Sequence, residues 1–427
     1  MKKLLKTLCV GAMLCSTVGC GNSGVSEGTA IKTELDKPVE VTIWHTWTQF
    51  QQEKLQEFAN RFNASQDKIT VKVEAQPLTD FDSKVLQAVR TKNGPDIIFT
   101  SPTVASNYVD DGLIANLGEY IQHEKVGIPN FKENLPEATY NEVSQWNGNV
   151  YMIPVMKTGE LMYYNKTLYD ELGLSVPTTW SELESNSRII KEKTGKAAFG
   201  FDSMIDGALA MIMQSGSQLF NTDEKKAVFN NEKTEERFTW FGNLVGEGVF
   251  RLVGEDQYFS NLFGSQGIAS YIGSSAGYKF TEESVNGKFE IGVAPIPQEG
   301  ERTFSNSWGS SAMVFKSNPD KEFAAYEFIK YFVQTDNNVE WSMTYGALPA
   351  FNEALNTPTF QAYLKENKYI EALAKQRETV DYIPAIKGSN EVRTIIGRSI
   401  EQVATQLKTA KEALTQAEAD VNKAINR

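Results

Sequence analysis

The sequence predicts an α/β fold that begins with a parallel sheet. Apolar and polar residues alternate at residues 39–47 (VEVTIWHTW) and 69–76 (ITVKVEAQ), as they do in half-buried strands. Between these strands, apolar residues recur at helical spacings of three and four over residues 55–62. A second helical stretch precedes a short apolar run at residues 96–99 (DIIF). Strands that alternate with helices in this order pair in parallel.

The rest of the chain adds mainly helices. Ser101 and Pro102 suit the cap and the first turn of a helix that follows the third strand. Residues 181–193 and 320–334 have helical periodicity, and residues 392–427 form one long amphipathic region. A chain of 427 residues can bury enough surface for two or three domains.

Composition excludes several classes of partner and site. The formal net charge of -12 disfavours nucleic acid and anionic membrane surfaces, whereas a small anion could still bind beside a local cation. The three cysteines, Cys9, Cys15 and Cys20, all lie within the first twenty residues, so the later chain offers no disulfide. The two histidines, His45 and His123, are too few for a histidine-rich metal site. The sequence therefore predicts no metal and no cofactor.

The N-terminus has the organisation of an export signal. Three lysines within the first six residues precede a mostly apolar stretch at residues 8–18. This stretch is too short to span a bilayer, which requires about twenty apolar residues. We therefore predict that residues 1–19 are a signal peptide.

The signal ends in S-T-V-G-C, which resembles a lipobox in which Cys20 receives a diacylglyceryl group. Thr17 departs from the leucine that is usual there, and a plain signal peptide with an incidental cysteine is the alternative. Residues 20–38 are small and polar, like a flexible tether. The lipobox predicts a protein held by its lipid anchor alone at the outer face of the cell membrane of a Gram-positive bacterium.

Five segments carry longer sequence patterns: VTIWHTWTQFQQEKLQEFANRFNAS (41–65), TKNGPDIIF with DDGLIANL (91–117), YMIPVMKTGELMYYNKTLYDELGLSVPTTWSEL (151–183), WGSSAMVFKSNPDKEFAAYEFIKYF with YGALPAF (308–351) and IPAIKGSNEVRTIIGRSIEQV (383–403). In this order they resemble family 1 extracellular solute-binding proteins, the group that contains the maltose-binding and glycerol-3-phosphate-binding proteins. The resemblance covers nearly the whole chain after the predicted signal.

The resemblance implies two α/β lobes with a ligand cleft between them. The chain would cross between the lobes near residues 158–160, near Ala312 and just after Gly346. The lobes would comprise residues 39–158 with 312–346, and residues 159–311 with 347–427. A monomer of this kind closes its lobes around a small hydrophilic ligand and delivers it to the permease subunits of an ABC importer.

Two loops that follow strands and open helices are candidate ligand contacts. Trp47 lies in the first of them, at residues 46–48, and Thr100 and Ser101 form the second. Hydroxyls and free N–H groups at such positions suit an oxygen-rich ligand, but the same residues would also serve as helix caps. Trp47 would either stack on a sugar or pack beneath its own loop.

The resemblance adds further candidates. Asp82 matches an acidic position that binds ligand hydroxyls in relatives, although it would equally cap its helix. Ser274 lies in a loop that resembles one whose serine binds ligand. Thr158 stands at the first crossing, and Trp308 and Gly309 match a glycine turn at the second. A glycine there would let a backbone N–H approach the ligand closely.

Arg393 would determine whether the site binds a neutral or an anionic ligand. The resemblance matches it to an aromatic residue that stacks on sugar in the maltose-binding protein, and to an arginine that grips phosphate in the glycerol-3-phosphate-binding protein. A guanidinium fork suits an oxyanion, whereas a merely ion-paired helix residue is the alternative. Two departures from the phosphate-binding pattern are Ala347, in place of a tyrosine, and FDSMIDG (201–207), which lacks a tryptophan pair.

The ligand favoured by Arg393 is glycerol-3-phosphate, a glycerophosphodiester or another anionic saccharide. A neutral mono- or oligosaccharide is the alternative. A secreted glycosidase is a more distant one, because the sequence lacks a nucleophile elbow, an H-E-x-x-H motif and a nucleotide loop. A surface adhesin would show repeats or a stalk, and neither is visible. The sequence thus predicts a binding protein without catalytic residues.

Overall fold

A mixed β-sheet organises the chain. The computed structural model describes residues 31–221, 224–386 and 388–426. The strands in these ranges are β1 Val39–His45, β2 Ile69–Ala75, β3 Ile97–Thr100, β4 Met152–Asn165, β5 Phe220–Asn221, β6 Lys226–Ala227, β7 Ser270–Ser274, β8 Ile291–Pro295, β9 Ser305–Val314, β10 Leu348–Pro349 and β11 Val380–Asp381. The main sheet has the order β10-β4-β9-β3-β1-β2, with β7 and β8 paired to β4 and β11 paired to β9. Strands β5 and β6 pair separately.

Helices surround this sheet. The α-helices in the described ranges are α1 Gln49–Ser65, α2 Phe81–Arg90, α3 Pro102–Asp110, α4 Gly118–Ile121, α5 Glu137–Ser144, α6 Lys166–Glu171, α7 Trp180–Thr194, α8 Met204–Gln214, α9 Glu232–Gly246, α10 Ser260–Gly264, α11 Tyr278–Val285, α12 Pro319–Phe332, α13 Thr335–Tyr345, α14 Asn352–Leu355, α15 Pro358–Glu366, α16 Lys368–Gln376, α17 Ser389–Ala404 and α18 Ala410–Ile425. Among these residues, no helix combines the length and the apolar character needed to cross a membrane.

The first three strands pair as the sequence predicts. Strand β1 lies between β2 and β3 and is parallel to both, with Val41 and Ile43 fully buried. The later strands differ, because β9 runs antiparallel to both β3 and β4. Periodicity identifies strands but carries no information about the direction in which distant strands pair. The predicted parallel sheet is therefore one part of a larger mixed sheet.

Strand β4 passes without a break from one part of the sheet to another. Its residues 152–159 pair with β9, and its residues 160–165 pair with β7 and β8. The change of partner falls within the segment predicted as the first crossing. Strand β9 changes partner from β11 to β4 after Asn306. The predicted domain limits themselves remain a prediction.

Two packed regions meet at β4 and β9. The β1 region contains β1, β2 and β3 with α1, α12 and α13, and Phe58, Phe332 and Trp341 pack edge to face in its core. The β7 region contains β7 and β8 with α8, α9, α17 and α18, and its core includes Phe201 and Phe241.

Helix α12 confirms the predicted apolar stripe, because Phe323, Tyr326, Ile329 and Phe332 are all buried. The long amphipathic region predicted over residues 392–427 forms two helices, α17 and α18, in the described structure. The chain reverses at Gln406, which has a φ of 58°, and separates α17 from α18. Helix α18 then begins with a capping box, a local signal that periodicity alone does not reveal.

Candidate functional site

A cavity of about 50 Å³ lies where the two regions meet. The side chains around it come from the start of α3, from α5, β9 and α17, and from the segment after β11. They include four of the predicted ligand contacts, Ser101, Trp308, Gly309 and Arg393. Ligand pockets of small-molecule binding proteins usually enclose about 300–1,000 Å³, so this cavity is small for a bound ligand.

Arg393 is the one cationic residue among the described residues that line this cavity. Its guanidinium carbon lies 4.4 Å from the ring centroid of Trp308, which is a cation–π distance. Its Nη2 lies 3.1 Å from Oδ1 of Asp206, and the side chain of Arg393 is 24% exposed against 8% for Asp206. Arg393 is therefore fixed between an aromatic ring and a carboxylate.

Asp206 is held in place by a second donor. It lies in the first turn of α8, where the helix dipole stabilises a negative charge. Nδ2 of Asn306, on β9, donates to Oδ1 of Asp206 over 3.0 Å. The same oxygen thus accepts from Asn306 and from Arg393, which connects α8, β9 and α17.

Two further carboxyl groups lie behind this pair. Glu160, on β4, is buried, and burial raises its pKa well above the usual value. The negative charges of Asp206 and Asp202 raise it further, while Arg393 opposes the rise. Burial also raises the pKa of Asp202 to about 7. The backbone N–H of Phe259 donates to Oδ1 of Asp202 over 2.6 Å.

The other charged side chains that line the cavity are already paired. Glu142 forms an ion pair with Lys157, and Asp381 forms one with Arg302. Among the residues that the structure describes, no group of His, Cys, Asp or Glu has the arrangement needed to hold a metal ion. The charges around the cavity therefore largely compensate one another.

Helix α3 directs its N-terminus toward the cavity. Ser101 caps this helix by accepting from the backbone N–H of Val104, and Ser101, Pro102 and Thr103 all line the cavity. Thr100 precedes them as the last residue of β3, paired with Ser311. The predicted cap at Ser101 is confirmed, and the cap and the cavity wall coincide.

Three other predicted residues lie on the strands beside the cavity. Thr158 pairs with Trp308 across β4 and β9, and it lines a smaller cavity of about 30 Å³. Ser274 pairs with Glu160 and caps a short turn by accepting from the N–H of Ala276. A Cβ atom at Gly309 would lie 2.5 Å from the carbonyl oxygen of Met156. Strand packing therefore requires a glycine at this position, whether or not its N–H contacts ligand.

Trp47 and Asp82 lie away from the residues that line this cavity. Trp47 packs within the β1 region against Phe99 and Trp341, at centroid distances of 4.9 and 4.7 Å. Asp82 lies beside Tyr108, whose hydroxyl donates to its backbone carbonyl over 3.4 Å, and burial raises the pKa of Asp82. Their roles as ligand contacts remain a prediction.

Contacts across the junction close the cavity. The backbone N–H of Ala385 donates to Oε1 of Gln145 over 2.6 Å. The single proton of the Ser106 hydroxyl is shared between the carbonyls of Thr103 and Ile386, at 2.7 and 3.0 Å. Elsewhere, the ammonium group of Lys279 on α11 lies 5.2 Å from the ring centroid of Phe50 on α1. These contacts join residues that precede β4 to residues that follow it.

Sequence reasoning missed Asp206, Asn306 and Glu160. The segment 201–207, in which the sequence departs from the phosphate-binding pattern, supplies both Asp202 and Asp206. The lack of the tryptophan pair in this segment is the feature of the sequence that sets it apart from the phosphate-binding pattern. A chain with 54 acidic residues does not reveal by itself which of them lies beside an arginine.

The pattern of the bacterial extracellular solute-binding protein family matches residues 57–367. The chain belongs to this family. This solute-binding protein is 21% identical to the sn-glycerol-3-phosphate-binding periplasmic protein UgpB of Escherichia coli (strain K12), over 95% of its own chain and 97% of the relative. The predicted membership of the extracellular solute-binding proteins is confirmed.

Solved structures show the same fold. The cyclic alpha-maltosyl-1,6-maltose binding protein of Arthrobacter globiformis superposes with a TM-score of 0.79 at 24% identity, covering 91% of this chain and 99% of that one. UgpB of Mycobacterium tuberculosis, solved in complex with glycerophosphocholine, superposes with a TM-score of 0.75 at 17% identity and the same coverage. These similarities confirm the predicted two-lobed α/β fold of this solute-binding protein.

Proposed function

We propose that this solute-binding protein captures a sugar or polyol-type ligand in the cavity around Arg393 and Trp308 and delivers it to an ABC importer. The observation that carries this proposal is the position of the cavity. It lies on β9, beside the junction of the β1 and β7 regions, and residues from both sides of β4 line it. The named relatives bind glycerol-3-phosphate, glycerophosphocholine and a cyclic maltosyl-maltose, which supports a ligand rich in hydroxyl groups.

Binding in this proposal requires the lobes to open and close. A cavity of about 50 Å³ is smaller than the volume that a sugar ring and its contacts need. Strands β4 and β9 would act as hinges, because each exchanges its partners at the junction. The ligand would then enter an open form and be enclosed when Ala385 and Ile386 reach Gln145 and Ser106.

The proposal includes the predicted export signal and lipid anchor. Cys20 and the signal peptide lie outside the described residues, so they rest on the sequence pattern. In this arrangement the flexible tether would keep the binding domain close to the permease subunits, which raises its effective concentration there. Capture and release would occur without chemical change of the ligand.

A thermal-shift panel tests the proposed function. The purified protein is heated with neutral mono- and oligosaccharides, with glycerol-3-phosphate and with glycerophosphocholine. A bound compound at about 100 times its Kd should stabilise the protein by about 2.7 kcal/mol, because only the folded state binds it. Stabilisation by no compound of these classes would contradict the proposal. Conversion of a stabilising compound, followed by NMR, would show an enzyme instead.

A further inference from the structure

We propose that Asp206 determines ligand specificity by occupying the guanidinium of Arg393, so that the site accepts an uncharged polyhydroxyl ligand rather than an anion. This inference rests on the proposed function and specifies its ligand class. It favours the neutral saccharide that the sequence left as the alternative.

The first step is the geometry of the arginine. Its Nη2 contacts the carboxylate of Asp206 at 3.1 Å, and its planar face lies over Trp308. A phosphate that bound as a fork to the edge of the guanidinium that Asp206 occupies would have to displace this carboxylate. Asp206 is also fixed by Asn306 on β9, so displacing it would break that second hydrogen bond.

The second step is the charge balance. Arg393 is the single cation among the described residues that line the cavity, and the two acids of this lining, Glu142 and Asp381, are paired with Lys157 and Arg302. Once Asp206 is counted against Arg393, no net positive charge remains to attract an anion.

The third step concerns the carboxyl groups behind the pair. The charges of Asp206, Asp202 and Arg393 all act on Glu160, and no ion pair of Glu160 or Asp202 with a cation is present in the described structure. Because burial raises the pKa of both carboxyl groups and so favours their uncharged forms, the main like-charge repulsion that an incoming phosphate would meet comes from Asp206.

The fourth step is the chemistry that does fit. A hydroxyl group both donates and accepts a hydrogen bond, so neighbouring hydroxyls of a sugar can accept from Arg393 and donate to Asp206 at the same time. Neither partner is then left unpaired. An arginine–aspartate pair is complementary to a diol in a way that it is not to a phosphate.

The experiment compares wild type with Asp206→Asn. Asparagine has the same shape and retains an oxygen that can accept from Asn306, but it removes the negative charge. Binding of the neutral saccharides, glycerol-3-phosphate and glycerophosphocholine is measured by calorimetry at low and physiological salt. We expect wild type to prefer a neutral saccharide, and we expect the variant to shift the affinity ratio toward glycerol-3-phosphate by about fivefold or more.

Asp256→Asn is the matched control, because Asp256 also pairs with an arginine, Arg251 at 3.0 Å, but Arg251 does not line the cavity, whereas Arg393 does. It should leave the ratio unchanged. The inference is overturned if wild type prefers glycerol-3-phosphate, a result that does not depend on the variant folding, or if Asp206→Asn changes the ratio less than fivefold. Failure of every compound to bind wild type would instead contradict the proposed function.

Discussion

Burial of Asp202 makes the stability of the folded protein depend on pH. Burial raises its pKa from 3.8 to about 7, so the folded protein binds a proton that the unfolded chain has already released between these values. The free energy of unfolding therefore falls as pH rises from about 4 to 7, because the folded state binds more protons than the unfolded state. A shift of one unit corresponds to about 1.4 kcal/mol.

Asp202→Asn should remove this contribution. Asparagine can still accept from the N–H of Phe259 but has no charge to desolvate. We expect wild type to lose about 2 kcal/mol more stability than the variant between pH 5 and pH 8. Urea denaturation of both proteins at the two pH values measures the difference. Parallel pH profiles for wild type and variant would show that Asp202 is not the responsible group, and Asp256→Asn should behave like wild type.

At the scale of single residues, the sequence predicts positions better than roles. Arg393, Trp308, Gly309 and Ser101 meet at one cavity, as a shared cleft requires. The residue that pairs with Arg393 and compensates its charge is Asp206, which lies 187 residues away in sequence. Only the packing of α8 against α17 brings the two together, and no local pattern contains that information.

At the scale of elements, we expect the segment that follows β11 to hold the closed form together as a clasp. Residues 382–386 line the cavity or contact Ser106 and Gln145, both of which precede β4. If these two hydrogen bonds form only when the lobes are closed, the bond from Ala385 favours closure by about 1 kcal/mol, and the shared bond from Ser106 adds at most the same amount. Together they would shift the balance of closed and open forms by at most about thirtyfold.

The double variant Ser106→Ala with Gln145→Ala tests this clasp. We expect ligand affinity to fall by about ten- to thirtyfold, because the closed form becomes less populated. Small-angle scattering should show a larger radius of gyration without ligand. The control is Gln56→Ala with Ser185→Ala, which removes a glutamine and a serine hydrogen bond within helices α1 and α7. Unchanged affinity in the test variant would mean that the contacts form equally in both states.

Elements are predictable where one periodicity persists. Strands β1 to β3 and helix α12 follow directly from apolar spacing, because each buries one face against a single core. The turn between α17 and α18 depends on one residue in the left-handed conformation, Gln406. The antiparallel pairing of β9 with β3 depends on contacts between segments that are far apart in the sequence. Neither the turn nor the strand pairing produces a periodic pattern of apolar residues in the sequence.

At the scale of the whole molecule, the predicted lipid anchor sets where the protein works. Cys20→Ala should release the protein into the medium, because the lipobox predicts that this thiol would carry the diacylglyceryl group. Cell fractionation followed by immunoblotting measures the released share. Cys15→Ala, a cysteine that would be removed with the signal, is the control and should leave the protein on the membrane. Retention of the Cys20 variant would exclude the lipobox.

The paired charges around Arg393 have a consequence for how fast a solute arrives. The protein has a net charge of -12, and Asp206 compensates the charge of Arg393. An approaching anion therefore experiences mainly long-range repulsion. Salt screens that repulsion over about 8–10 Å, so anions would associate faster as ionic strength rises. An uncharged sugar would arrive equally fast in dilute and in saline surroundings. A binding protein that works outside the cell would thus keep a steady rate of capture when the salinity around it changes.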